Sequence, residues 1–130
     1  FGGSCYLSAE MIASALAELA PEKPDVVLVE NVGNLVCPAE FDIGADGNIV
    51  LVSVVEGEDK PLKYPMKFRV ADVVCVTKID IAEAVGADVA ALKANVLKVH
   101  PQVRLVESSG KTGQGIDDVA AWIADTNRGR

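Results

Sequence analysis

Four short runs of β-branched and aliphatic residues constrain this chain more than any other feature: Val26-Val27-Leu28-Val29, Ile49 to Val55, Val73 to Val76, and Val103 to Val106. None shows the apolar–polar alternation of a strand wetted on one side, so each reads as a strand buried on both faces of a parallel sheet. Helical patterns fall around them. Ser8 is placed to cap a helix with Glu10 in its first turn and Met11, Ile12, Ala15, Leu16 and Leu19 at helical spacing, and Pro21 and Pro24 end it. A second helix is expected at about Val89 to Val99, between the last two runs, and a third at about Ile116 to Ala124. Strand, helix and strand in that order imply right-handed crossovers and an α/β fold, a doubly wound, mostly parallel sheet flanked by helices. With 130 residues the chain is expected to form one domain, residues 1–130. Residues 31 to 48 carry no periodicity, and a loop of that length in a compact domain points to function or disorder.

Composition narrows the function classes. Half the residues are hydrophobic, yet no apolar stretch approaches the roughly 20 residues that cross a bilayer, so no membrane role is expected. The start, Phe1-Gly2-Gly3-Ser4-Cys5, lacks the basic flank and apolar core of a secretory signal. Three cysteines in an ordinary helix-and-strand pattern point to reduced thiols and a cytoplasmic location. A net charge of −7 repels phosphate backbones and argues against nucleic acid. The one basic cluster, Lys60, Lys63, Lys67 and Arg69, is mixed with Glu56, Glu58 and Asp59. Lys60 and Lys63 fit either a nucleotide contact or a solvated face.

The sharpest chemistry follows the last two runs. Thr77-Lys78-Ile79-Asp80 comes directly after Val76, and Ser108-Ser109-Gly110-Lys111-Thr112-Gly113 directly after the run ending at Val106 and Glu107. Both therefore sit at the C-terminal edge of the sheet, where open α/β folds bind ligands. Asp80 can accept from the N1–H and N2 amino group of guanine while the Lys78 stem lies along the base, and backbone amides of the Ser109-Gly110-Lys111 turn can reach O6. Adenine has no donor at N1 and leaves the carboxylate underpaired, at a cost of about 1–3 kcal/mol. A lone Thr-Lys-x-Asp is most often just a solvated loop; its pairing with Ser-Gly-Lys one strand later favours a guanine pocket. Gly110-Lys111-Thr112 is not the end of a phosphate-binding loop, because the position five residues before Gly110 is Leu105. No other Gly-x-x-x-x-Gly-Lys-[Ser/Thr] occurs in the chain. Glu30, after the first run, stands where nucleotide hydrolases place a carboxylate to hold Mg²⁺ through water, although taken by itself the plainer reading, an acidic residue at a strand end, wins.

Glu30-Asn31-Val32-Gly33-Asn34-Leu35-Val36-Cys37-Pro38, then Glu56 to Pro65, then Thr77-Lys78-Ile79-Asp80 and Ser109-Gly110-Lys111-Thr112-Gly113 follow one another in an order and spacing that resembles the HypB-type nickel-insertion GTPases. The likeness covers nearly the whole chain, and its second segment separates this family from the urease-maturation GTPases. It implies a partial P-loop GTPase-like domain whose phosphate-binding third lies outside these residues, with GTP or GDP, Mg²⁺ and Ni²⁺ or Zn²⁺ as ligands. It also implies a homodimer, a nickel metallochaperone partner, and delivery of nickel to the large subunit of nickel-iron hydrogenase. The family's metal site combines a Cys-His pair at the first helix with the cysteine of the Gly-Asn-Leu-Val-Cys-Pro loop. Cys5 and Cys37 match the cysteines, but Tyr6 replaces the histidine, and its phenol ionises only near pH 10. Two thiolates per chain then need a second chain to close a four-ligand site.

Two functional classes follow: a GTP-hydrolysing nickel metallochaperone that depends on a phosphate-binding segment, or a non-catalytic metal-binding and dimerisation module that keeps the guanine pocket. This chain alone is expected to turn over no GTP. Cys75 and Trp122 read as core, and His100 as the C-terminal cap of its helix.

Overall fold

The computed structural model describes residues 9–30 and 44–129. The chain divides into two compact units, residues 1–46 and 47–130. In the first, helix α1 spans Ala9–Leu19 and buries Ile12. It passes into a 3-10 turn, Ala20–Glu22, with Pro21 in its first turn. Lys23, in the left-handed region at φ 51°, closes that turn by donating from its amide to the Ala20 carbonyl at 3.1 Å. The prolines therefore end α1 as expected, while its Ser8 cap lies outside the described residues.

The second unit carries a three-stranded parallel sheet in the order β1-β2-β3, with β1 Ile49–Ser53, β2 Val73–Thr77 and β3 Arg104–Glu107. Short helices α2, Lys60–Lys63, and α3, Pro65–Arg69, connect β1 to β2, and α4, Val89–Val99, connects β2 to β3. Helix α5, Ile116–Arg128, follows β3. Register pairs Leu51 with Cys75 and Cys75 with Val106, so these residues share one sheet face. On that face Val73, Cys75 and Val106 pack with Ile49 and with Val119 and Trp122 of α5. Val74 and Val76 point the other way and are fully buried, as are Phe68 of α3 and Val96 of α4, and α2 and α3 both pack against α4. Helices thus cover both faces, the doubly wound arrangement that unalternating runs require.

Local chemistry sets the ends. Asp88 caps α4 by accepting from the Ala91 amide at 2.9 Å. At the other end the His100 amide donates to the Val96 carbonyl, and His100 Nε2 donates to the Ala71 carbonyl at 3.0 Å. The β1 run stops at Ser53, two residues before the expected end, because Ser53 and Glu56 form a capping box over a 3-10 turn, Val54–Glu56.

One expected element is not formed. Val26-Val27-Leu28-Val29 makes no strand and leaves its side chains 37–74% exposed. β-branched composition favours a pleated surface only where neighbouring strands supply the ladder and the packing. Among the described residues no strand pairs with this run. Glu30 therefore follows an exposed, irregular segment and does not end a buried strand.

Candidate nucleotide-binding site

β2 and β3 are adjacent and parallel, so their C-terminal ends lie side by side. The ladder continues past both: the Ser108 amide donates to the Val76 carbonyl at 2.8 Å, and the Ile79 amide returns to the Ser108 carbonyl at 3.1 Å. These two bonds stitch the 77–80 and 108–115 loops together. Lys78 is one of two described non-glycine residues with positive φ, at 60°, a conformation that costs an L-residue about 1–2 kcal/mol. This lets the chain turn sharply after Thr77, with Lys78 exposed and Asp80 in the 3-10 turn Ile79–Ile81.

Asp80 meets Ser109 directly. The Ser109 hydroxyl donates to Asp80 Oδ1 at 2.7 Å and accepts from the Thr112 amide at 3.1 Å. Ser109 is completely buried, while Asp80 is exposed at the sheet edge. The loop that holds Ser109 is closed by its own backbone, with the Ser109 amide donating to the Gln114 carbonyl and the Gly113 amide to the Ser109 carbonyl, both at 2.9 Å. Thr112 Oγ1 accepts from the Gln114 amide at 3.2 Å. The amides of Gly110 and Lys111 take no part in this web, and both residues are exposed. The site thus presents a carboxylate with one oxygen braced by a hydroxyl, a lysine stem, and two amides outside the loop's own hydrogen bonds, a set suited to a flat ligand with adjacent donors and an acceptor.

Of the residues singled out in the sequence, Thr77, Lys78, Asp80, Ser109, Gly110 and Lys111 come together here. The bracing role of the Ser109 hydroxyl and the left-handed turn at Gly115, φ 75°, were missed. Gly113-Gln114-Gly115 immediately before an amphipathic helix is the sequence signal that points to a tight left-handed turn. Leu105 lies within β3, which confirms that Gly110-Lys111-Thr112 belongs to no phosphate-binding loop.

The Glu56 to Pro65 segment is held at the neighbouring strand end. Asn95 of α4 donates to the Glu58 carbonyl at 2.7 Å, and Lys63 pairs with Asp59 at 3.1 Å. The Lys63 ammonium, hydrogen-bonded to Asp59, lowers the Asp59 pKa. Lys60 Nζ stands 5.1 Å from the Tyr64 ring centroid, in cation–π range. Both lysines are thus engaged locally.

Cys5, Tyr6 and Cys37 lie outside the described residues. Among the described residues no trio of His, Cys, Asp or Glu could hold a metal ion. Glu30 stands on an exposed, irregular segment. No helix among the described residues is long and apolar enough to cross a membrane.

The profile of the CobW/HypB/UreG nucleotide-binding domain matches residues 1–107. The chain belongs to the CobW/HypB/UreG family. Within that family it is 43% identical over 122 residues to the hydrogenase maturation factor HypB of Rhizobium leguminosarum bv. viciae, covering 94% of this chain and 41% of the relative. It is 40% identical over 131 residues to the hydrogenase/urease maturation factor HypB of Helicobacter pylori, covering 98% of this chain and 54% of the relative. The chain thus spans about half the length of these curated relatives. Two crystal structures share its fold. HypB of Archaeoglobus fulgidus superposes with a TM-score of 0.88 at 41% identity, over 95% of this chain and 65% of that one. HypB of Helicobacter pylori in complex with nickel superposes with a TM-score of 0.91 at 39% identity, over 98% and 61%.

Proposed function

We propose that this chain is the guanine-binding and metal-binding portion of a GTP-dependent nickel metallochaperone of the HypB type, serving maturation of nickel-iron hydrogenase. The 2.7 Å hydrogen bond from the Ser109 hydroxyl to Asp80 carries the reading. A free Thr-Lys-x-Asp loop explains nothing, but one whose aspartate is braced by the Ser-Gly-Lys loop of the next strand is half of a base pocket. In this reading Asp80 accepts from guanine N1–H and N2, the Gly110 and Lys111 amides donate to O6, and the Lys78 stem covers one face of the ring. Thr77 sets the height of the turn. The likeness to relatives named as hydrogenase maturation factors, and to a HypB crystallised with nickel, supports the same assignment.

The metal is cargo in this reading. Cys5 and Cys37 of two chains supply four thiolates to Ni²⁺ or Zn²⁺, which links metal binding to homodimer formation. A nickel metallochaperone partner and the hydrogenase large subunit stand on either side of the transfer. Phosphoryl transfer requires a cradle of backbone amides and a lysine on the β- and γ-phosphates, which these 130 residues do not contain. Glu30 is the carboxylate assigned to serve it in the whole protein. The nucleotide reading is tested by displacement of a fluorescent guanine nucleotide: GDP should compete well and ADP poorly, and equal competition would refute it. The metal reading is tested by sedimentation with and without Zn²⁺ or Ni²⁺. Metal should raise the dimer fraction, Cys5→Ala or Cys37→Ala should abolish the effect, Tyr6→His should strengthen it and Cys75→Ala should leave it unchanged. Association that ignores metal would show the ligands to be wrong.

A further inference from the structure

Gly115 occupies a position that only glycine can fill. Its φ is +75°, and a Cβ built there would meet the Glu107 carbonyl oxygen closer than any real Cβ approaches backbone, with Val106 Cγ1 at 3.0 Å and Glu107 C at 3.1 Å behind it. Neither neighbour can swing away, since both belong to β3. The residue just before it, Gln114, offers the carbonyl that receives the Ser109 amide at 2.9 Å. Ser109 in turn braces Asp80 through its hydroxyl. A continuous chain of short contacts therefore runs from the last residue of β3 through Gly115, Gln114 and Ser109 to the carboxylate at the sheet edge.

We propose that Gly115 is a specificity-determining positioning residue: its backbone, bare of any side chain, presses against the Glu107 carbonyl and locks the 109–115 loop so that the Ser109 hydroxyl aims Asp80 at the purine edge. This rests on the guanine-pocket reading. A carboxylate left to rotate still accepts one hydrogen bond from N1–H, but it reaches N1–H and the N2 amino group together only when its plane is fixed. The lock therefore acts on the second contact. Hypoxanthine, which keeps N1–H and O6 but lacks the N2 amino group, isolates that contact.

The test uses the full chain and three probes, GDP, IDP and ADP, with affinities from chemical-shift titration and amide hydrogen exchange read at Ser109. Wild type should prefer GDP over IDP by about tenfold, the discrimination one well-placed hydrogen bond provides. Gly115→Ala and Ser109→Ala should bring that ratio close to one. Gly115→Ala should also speed exchange of the Ser109 amide, whereas Ser109→Ala, which keeps the bond to Gln114, should leave exchange at that amide slow. Gly86→Ala is the control: it carries the same left-handed penalty at φ +67° with nothing within 4 Å of the added Cβ, and should keep the wild-type ratio. Should Gly115→Ala fail to fold, Ser109→Ala decides the aiming step by itself. A wild type that does not prefer GDP to ADP refutes the pocket. A wild type that prefers GDP to ADP, with either folded variant retaining its GDP-to-IDP ratio, leaves the pocket standing and overturns the positioning role.

Discussion

Val73-Val74-Cys75-Val76 and Val26-Val27-Leu28-Val29 are nearly the same sentence in sequence and opposite outcomes in structure. The first is the centre of the sheet, paired on both sides, with Val73, Val74 and Val76 fully buried. The second is unpaired among the described residues and leaves Leu28 74% exposed. Apolar, β-branched composition permits a strand; partners on either edge and helices above and below create one. The difference also separates two parts of the functional reading. Asp80 and Ser109 hang from a rigid, paired sheet, whereas Glu30 follows a run with no such support.

Charge insertion breaks the contrast most sharply. Val74→Asp would strand an unpaired carboxylate in the core, at a cost comparable to the whole stability of about 5–15 kcal/mol that a small domain has, and should leave no cooperative unfolding transition. Leu28→Asp, on an exposed run, should shift stability by under about 0.5 kcal/mol. Urea titration followed by far-UV circular dichroism, which reports the helices of both units, reads both. Equal losses would show that the two runs are packed alike.

The lid over the β2 face is the next lever. A Cβ at Gly47 would collide with the Trp122 ring, with Cζ2 at 3.1 Å, so the bare backbone there is what makes room for the indole packed on Val73, Cys75 and Val106. Gly47→Ala should cost about 1–3 kcal/mol, as overpacking does, and shift the Trp122 emission. An unchanged urea midpoint would mean that the ring moves aside at no cost.

A smaller effect is expected from pH. Burial pushes the Cys75 thiol above its ordinary value of 9.0, so the folded chain holds a proton that the unfolded chain releases. Stability from this group is complete below pH 9 and falls as pH rises above it. Cys75→Val removes the titrating group, and the difference between wild type and variant in urea midpoint should widen in the variant's favour above pH 9. A constant difference across that range would show that the thiol is not desolvated.

Much of this was legible in the chain. The unalternating runs announced a parallel sheet with helices on both faces, and three of the four became strands within a residue or two. The strand-end position of Thr77-Lys78-Ile79-Asp80 and Ser109-Gly110-Lys111 followed from the same pattern. Pairing was not legible, because a run carries its propensity but not its neighbours, and so Val26 to Val29 misled. Nor was the Ser109 bond to Asp80, which depends on side-chain direction in two loops 29 residues apart. Gly115 escaped for a related reason: a glycine before a helix signals a turn, but only the folded chain reveals the carbonyl pressed against it.

The central claim, that Asp80 reads the donor edge of guanine, is tested most directly by reversing that edge. Xanthine carries an oxygen where guanine carries the N2 amino group, and Asp80→Asn supplies an N–H where the aspartate supplied an acceptor. Titrating wild type and Asp80→Asn with GDP and xanthosine diphosphate should show wild type preferring GDP and the variant preferring the xanthosine nucleotide, each by about tenfold or more, as expected from about 1–3 kcal/mol for a buried mismatch. A variant that loses affinity for both nucleotides equally, or keeps the wild-type order, would contradict the assignment of Asp80 to the base.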